Sequence, residues 1–124
     1  MSPNFSSPPR RVLVVEDNPD CREALRLLLE SWGYQADVAA DGREGLAKAL
    51  AWRPEVAVVD IGLPILDGFR VARQVRDALG DHVHLIALTA FSAAEDRRQA
   101  LAAGFDHFLT KPVDLDELAH LVAP

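Results

Sequence analysis

The sequence is poor in residues that would build a covalent or metal framework. Cys21 is the single cysteine, so no disulfide can form within the chain. The histidines are scattered, and no group of Cys and His has metal-ligand spacing; they are His82, His84, His107 and His120. We expect these histidines to be surface or packing residues, and a reducing, cytoplasmic setting fits the lone cysteine best.

Long apolar runs and an excess of basic residues are also lacking. The longest apolar runs fall far below the ~20 residues that a membrane span requires, and the N-terminus has no apolar signal region. We therefore expect no membrane insertion. The net charge of -6 argues against a protein that binds nucleic acid through its phosphates, although a local basic patch remains possible.

The composition is that of one globular domain. The chain of 124 residues is 49% hydrophobic, which suffices for a single core and leaves no room for a second domain. Residues 1–10, MSPNFSSPPR, are rich in Pro and Ser and indicate a flexible tail or linker. The sequence thus predicts a folded domain over residues 11–124.

Apolar, mostly β-branched runs predict the strands. Three runs are strong, and they are VLVV (12–15), VAVV (56–59) and LIAL (85–88). Weaker strand-like pieces cover 35–39 and 105–109. The strong runs do not alternate with polar residues, so both faces of each strand must be covered, as in a parallel sheet between helices.

Capping and stop signals between these runs predict five helices. The N-terminal signals are Asn18 before Pro19, Asp41 with Glu44, Ser92 with Glu95, and Asp114 with Glu117. The stop signals are Gly33, Pro54, Gly80 and Gly104. The remaining helix is predicted over residues 66–79 from its apolar spacing.

Alternating strands and helices predict an α/β fold, a doubly wound parallel sheet with right-handed crossovers and a helical layer on each side. We expect the flavodoxin-like strand order 2-1-3-4-5. Such sheets bind ligands at the carboxyl ends of their strands. The polar residues at those ends are Glu16 and Asp17, Asp60, Thr89, and Lys111 before Pro112.

Three of these residues are acidic and are expected to share one cleft. If the first and third strands are neighbours, Glu16, Asp17 and Asp60 converge there. At ~4 Å and an effective dielectric constant of ~20, each like-charged pair costs about 4 kcal/mol, so a cation is expected. Mg²⁺ is the natural candidate because it takes carboxylates, waters and phosphate oxygens. Lys111 is expected to add a positive charge at the rim.

Carboxylates, Mg²⁺, a lysine and the Thr89 hydroxyl together suit phosphoryl transfer. Asp60 is the best candidate for the nucleophile because it stands alone at a strand end, whereas Glu16 and Asp17 are adjacent and better suited to hold a metal. Any one of these acids could instead merely cap a loop. Such capping explains poorly why all the polar groups lie at one edge.

The quoted residues resemble a known family. From about Arg11 to Ala123 the chain resembles the receiver domain of two-component response regulators. It carries VVEDNP, DIGLPILDG, ALTA and TKP in the family's order. The resemblance implies that Asp60 accepts a phosphoryl group from a phosphohistidine, carried by a histidine kinase or a histidine phosphotransfer domain.

The resemblance also assigns the remaining site residues. It implies that Glu16, Asp17, Asp60 and the carbonyl of Gly62 hold Mg²⁺, and that Thr89 and Lys111 contact the phosphoryl oxygens. Ala90 follows Thr89 in the ALTA motif, and the Lys111–Pro112 bond is expected to be cis.

A switch is implied as well. Thr89 and Phe108 are expected to move together on phosphorylation. This movement is expected to reshape the face formed by the fourth helix, the fifth strand and the fifth helix. An unknown output partner is expected to bind that face. Because Phe108 lacks a hydroxyl to hold it at the surface, its inward rotamer is expected to be well populated without phosphate.

Several alternative functions were compared with this resemblance. The sequence of the DIGLP motif favours a receiver from a hybrid histidine kinase over a single-domain regulator. A pseudo-receiver that is not phosphorylated should have lost Asp60, Asp17 or Lys111, and all are present.

An aspartyl-phosphate phosphatase would need a second Asp where Gly62 stands, so we expect no enzyme beyond self-catalysed phosphorylation and dephosphorylation. A nucleotide-binding domain would want a glycine-rich loop after the first strand, where EDNPD stands instead.

Overall fold

The structure, a computed structural model, describes residues 9–90 and 94–124, with the side chain of Ala94 left aside. Most of the predicted N-terminal tail, residues 1–8, and the predicted helix cap Ser92 lie outside the described residues. Among the helices described, none is both long and apolar enough to cross a bilayer.

A five-stranded parallel sheet forms the centre of the molecule. Its strands run in the order β2-β1-β3-β4-β5, which confirms the predicted topology. They are β1 (Arg11–Val15), β2 (Gln35–Ala39), β3 (Val56–Asp60), β4 (His84–Thr89) and β5 (His107–Thr110). Every residue of β3 is buried, as the unbroken apolar run predicts for a strand covered on both faces.

Helices cover both faces of the sheet. They are α1 (Pro19–Ser31), α2 (Gly42–Trp52), α3 (Gly68–Leu79), α4 (Ala94–Ala103) and α5 (Leu115–Val122), with a 3-10 turn at Gly80–His82. Leu25 and Leu29 of α1 and Leu118 of α5 pack on one face of the sheet. Val71 of α3 and Ala100 of α4 belong to the core on the other face. We call these the α1–α5 layer and the α2–α4 layer.

The capping residues predicted from the sequence mark the helix ends. The Asn18 side chain accepts hydrogen bonds from the amides of Asp20 and Cys21, both at 3.0 Å. Asp41 and Asp114 cap α2 and α5 in the same way. Gly33, at φ 94°, follows α1 in a backbone conformation that favours glycine.

Two boundaries differ by two residues from the predicted ones. β5 begins at His107, not at residue 105, because the Phe105 amide still bonds the Ala100 carbonyl at 3.0 Å and closes α4. α3 begins at Gly68, not at residue 66, because the Asp67 side chain caps it by accepting from the Arg70 amide.

The two helical layers carry opposite charge. The helices of the α1–α5 layer contain five acidic and two basic residues, whereas the described helices of the α2–α4 layer contain four acidic and seven basic residues. Charge is therefore unevenly distributed between the helices of the two layers.

Candidate functional site

The polar residues selected from the sequence meet at one edge of the sheet. Because all five strands are parallel, their carboxyl ends lie together. Val15 of β1 pairs with Val59 of β3, so the acids that follow each of them are side by side. Thr89 ends β4, and Lys111 follows β5. The fold thus brings every predicted side chain of the site to the same edge.

Three carboxylates form a cluster at this edge. Glu16, Asp17 and Asp60 each offer an oxygen within 4.8 Å of the others. Glu16 is fully buried and Asp60 nearly so, whereas Asp17 is exposed. This convergence was predicted from the strand order. Buried carboxylates so close together require positive charge.

Lys111 supplies part of that charge from within the pocket. Its Nζ donates to Glu16 Oε1 at 2.6 Å and to Asp60 Oδ2 at 2.9 Å. The prediction that the lysine lies at the rim is therefore wrong in position. The turn after β5 directs the side chain between the two buried acids, because the Lys111 amide is held by the Thr89 carbonyl at 2.7 Å.

Burial and hydrogen bonding shift the pKa values of Glu16 and Lys111. Burial raises the pKa of Glu16 against the opposing effect of its bonds to Lys111 and Asn18, and the negative charge of Asp60 adds to the rise. Burial alone would lower the pKa of Lys111, but its hydrogen bonds to Glu16 and Asp60 outweigh burial and raise it. Lys111 therefore stays cationic at neutral pH.

Two residues that support Glu16 were not predicted to belong to the site. The Asn18 amide donates to Glu16 Oε2 at 3.1 Å, so Asn18 caps α1 and also holds the acid. Arg22 Nη1 donates to the Glu16 carbonyl at 3.1 Å. The sequence signal for Arg22 is weak, since a basic residue on an exposed helix turn is common.

The backbone after Asp60 is held tightly against α3. The Gly62 amide donates to Asp60 Oδ1 at 2.8 Å and so fixes that oxygen. A side chain on Gly68 would come within 2.4 Å of the Asp60 carbonyl oxygen. Only glycine permits this approach, which explains why the Asp-Gly pair at 67 and 68 begins α3.

Gly62, unlike Gly68, lies where a side chain could be accommodated. A Cβ at this position would meet only Asp60 Oδ1, at 3.5 Å, and the backbone does not require glycine. The predicted metal ligand at Gly62 is its carbonyl, which any residue would supply equally. The position therefore has room for a side chain beside the cleft.

An open cleft of about 360 Å³ lies over Asp60. Because one water occupies about 30 Å³ in the liquid, the cleft can hold a phosphoryl group together with several waters. Its lining residues are Asp60, Ile61, Gly62, Phe69, Thr89, Ala90, Asp96 and Lys111. Ile61, Phe69 and Asp96 were not singled out from the sequence.

The predicted switch residues lie on neighbouring strands. Thr89 is buried and lines the cleft, and Ala90 is exposed beside it. Phe108 is partly buried against the core, with the Arg97 guanidinium 5.4 Å from its ring centroid. Phe108 thus has a cationic neighbour, Arg97 of α4, although it lacks a hydroxyl, and its rotamer preference stays a prediction.

Pro112 and Cys21 lie next to residues of the site. The Lys111–Pro112 bond is cis, as the family resemblance implied. Burial and the adjacent Glu16 raise the pKa of the Cys21 thiol to about 11. Cys21 is therefore protonated at neutral pH, and among the described residues it is not in the carboxylate cluster that could hold a metal ion.

Comparison with known proteins agrees with this geometry. A family profile described as "Response regulator receiver domain" matches residues 12–123. The chain belongs to this family, the receiver domain of two-component response regulators. The resemblance noted from the sequence is therefore confirmed.

Curated relatives include receivers within longer proteins. Response regulator MprA of Mycolicibacterium vanbaalenii is 43% identical over 89% of this chain, and the match covers 47% of MprA. This chain thus spans about half the length of that relative. An uncharacterized 14.6 kDa protein of Leptolyngbya boryana is 43% identical, with 90% of this chain and 86% of that protein covered.

Solved structures share the fold. Vibrio cholerae chemotaxis protein CheY4 superposes with a TM-score of 0.84 at 30% identity, covering 91% of this chain and 98% of that one. The receiver domain of sensor histidine kinase PA1611 from Pseudomonas aeruginosa gives a TM-score of 0.83 at 34% identity, covering 92% and 94%. The latter structure has a magnesium ion coordinated in its active-site cleft.

Proposed function

We propose that this receiver domain is phosphorylated on Asp60 by a phosphohistidine donor. One observation carries the proposal. The nearly buried Asp60 carboxylate, bound by Lys111 at 2.9 Å, opens into a cleft that Thr89 also lines. A nucleophilic oxygen thus lies beside a cation and a hydroxyl, the groups that phosphoryl transfer needs.

The transfer step follows from these positions. An Asp60 oxygen attacks phosphorus as the bond to the donor nitrogen breaks, and the electron pair of that bond leaves with the imidazole. Lys111 and Thr89 are the groups to contact the phosphoryl oxygens, where charge develops. The Gly62 amide, bonded to Asp60 Oδ1, orients the carboxylate and leaves Oδ2 toward Lys111.

We propose Mg²⁺ as the cofactor, held by Glu16, Asp17, Asp60 and the Gly62 carbonyl. The donor set fits this ion, because three carboxylate oxygens lie within 4.8 Å of one another and Mg²⁺ prefers hard oxygen ligands. When bound, the ion would offset the charge of the phosphoryl oxygens. The magnesium in the PA1611 receiver supports this proposal.

The phosphodonor partner is proposed to be a histidine kinase or a histidine phosphotransfer domain. Two similar proteins support a signalling role, since MprA is a response regulator and the PA1611 receiver domain belongs to a sensor histidine kinase. The domain is proposed to catalyse only its own phosphorylation and dephosphorylation, and to bind its output partner without direct contact to nucleic acid or membrane.

Incubation with acetyl phosphate and Mg²⁺, followed by intact-mass measurement, tests the proposal. The wild-type chain should gain one phosphoryl group, and Asp60→Asn should gain none because the nucleophile is gone. Asp77→Asn is the matched control, since Asp77 is an exposed carboxylate on α3 outside the cluster. Phosphorylation of Asp60→Asn at the wild-type rate would refute the assignment. No phosphorylation of the folded wild-type chain would favour the pseudo-receiver.

A further inference from the structure

One charged residue of the cleft has no role in the proposed reaction. Of the lining residues that the structure describes, Asp60, Thr89 and Lys111 serve the phosphoryl group, and four others are uncharged. The remaining one is Asp96, in the first turn of α4. Within the described part of the chain, Asp96 is not a member of the three-carboxylate cluster that could hold a metal.

The direction of phosphoryl transfer places the donor's leaving group in the open part of the cleft. Entering and leaving atoms lie roughly in line on opposite sides of phosphorus. Asp60 is the entering group at the floor of the cleft, so the leaving group must lie on the side away from the sheet. Besides the groups assigned to the phosphoryl group, the described lining of this cleft consists of three apolar residues, Gly62 and Asp96.

We propose that Asp96 determines phosphodonor specificity. Its carboxylate favours cationic donors, such as a protonated phosphoimidazole, and it disfavours acyl phosphates. This inference rests on the proposed function of Asp60, and it adds a selection between classes of substrate at the same site.

The chemistry of the two donor classes differs in the sign of the leaving group. When a protonated phosphoimidazole reacts, the bond from Asp60 to phosphorus forms, the P–N bond breaks, and its electron pair converts the imidazolium into neutral imidazole. When acetyl phosphate reacts, the P–O bond breaks and acetate leaves as an anion. A nearby carboxylate stabilises the cationic donor and repels the departing acetate.

A simpler role for Asp96 is to stabilise the N-terminus of α4, where an acidic side chain interacts favourably with the helix dipole. Glu95 separates the two roles. It lies in the same turn and carries the same charge, but it pairs with Arg98 at 2.7 Å and does not line the cleft. A helix-dipole effect would respond to either residue, whereas donor selection requires Asp96.

The test compares two small donors on the full chain with Mg²⁺. Initial rates of phosphorylation by phosphoimidazole and by acetyl phosphate are measured by intact mass, and their ratio is compared between variants. We expect Asp96→Asn to lower the ratio of the phosphoimidazole rate to the acetyl phosphate rate by about tenfold, the effect of one screened charge on both donors. Asp96→Glu, which keeps the charge, should retain most of the ratio.

Controls keep the test decisive. Glu95→Gln should leave the ratio within about twofold of wild type. Asp96→Ser, neutral and well suited to the start of a helix, replaces Asp96→Asn if the latter melts early. An unchanged ratio in both neutral Asp96 variants would overturn the inference, as would an equal change in Glu95→Gln. Failure of every donor on the wild-type chain would instead overturn the proposed function and the inference with it.

Discussion

Ile65 lies in the loop between β3 and α3, which follows Asp60 at the carboxyl edge of the sheet. Its φ is 71°, a left-handed conformation that is an outlier for a β-branched residue, and its side chain is 71% exposed. The first turn of α2 packs closely against the same loop, because a Cβ on Gly42 would come within 1.7 Å of the Leu66 carbonyl oxygen. The loop thus has little freedom to relax.

Ile65→Gly is therefore expected to stabilise the protein. Removing the strain of the left-handed backbone should stabilise the folded state by about 1–2 kcal/mol. The greater chain entropy of glycine should stabilise the unfolded state by about 0.5–1 kcal/mol. Little buried surface is lost, because the Ile65 side chain is mostly exposed. The free energy of unfolding in urea should rise by about 0.5–1 kcal/mol.

The control is Leu101→Gly, at an exposed apolar residue on α4 that is 57% accessible. There the backbone is helical, so glycine should lower the free energy of unfolding by about 1 kcal/mol. A loss of stability in Ile65→Gly similar to that in Leu101→Gly would contradict the strain argument.

At the scale of elements, α4 and β5 are joined by Arg97 and Phe108. The guanidinium lies 5.4 Å from the ring centroid, within the range of a cation–π interaction. This contact links the helix that carries Asp96 to the strand that leads to Lys111. The coupled movement of Thr89 and Phe108 on phosphorylation stays a prediction, and such a movement of the ring would change its contact with Arg97.

A double-mutant cycle measures this contact. Arg97→Ala should lower the free energy of unfolding by about 0.5–1 kcal/mol in the wild-type background and by much less when Phe108→Leu is already present. Arg98→Ala is the matched control because Arg98 pairs with Glu95. Equal losses for Arg97→Ala in both backgrounds would show that the ring contributes nothing.

The elements themselves could be predicted because their signals are local. The unbroken run at residues 56–59 already indicates a strand covered on both faces, and Asn18 and Asp114 cap helices through amides only two or three residues away. The convergence of Glu16 and Asp60 followed from strand order alone, since parallel strands end at one edge.

What could not be predicted depends on how helices face the sheet. Arg97 over Phe108 and Asp96 in the cleft both follow from the rotation of α4, whose predicted cap Ser92 lies outside the described residues. The position of the Lys111 side chain between Glu16 and Asp60 depends on side-chain packing. Spacing in the sequence carries no such information.

At the scale of the whole molecule, cation binding at the acidic cluster should raise global stability. A ligand that binds only the folded state stabilises it by about 1.4 kcal/mol at ten times its dissociation constant. Mg²⁺ should therefore raise the unfolding temperature of the wild-type chain. Asp17→Asn should lose most of this rise, and without Mg²⁺ it should be more stable than wild type because repulsion with Glu16 and Asp60 is relieved.

Thermal unfolding with and without Mg²⁺ checks this prediction. Asp81→Asn is the control, since Asp81 lies in the turn before β4, at the opposite edge of the sheet. Its response to Mg²⁺ should equal that of wild type. An undiminished response in Asp17→Asn would exclude Asp17 as a ligand.

The helices of the two layers differ in charge, and they therefore contribute an electric moment across the sheet. In the field of a charged macromolecule this contribution favours an orientation in which the helices of the α1–α5 layer face positive potential before any surfaces touch. At physiological salt this field decays over about 8 Å, so the orientation is set only in the last steps of an encounter. Collisions with a basic partner are thereby biased toward one side of the sheet, and those with an acidic partner toward the other.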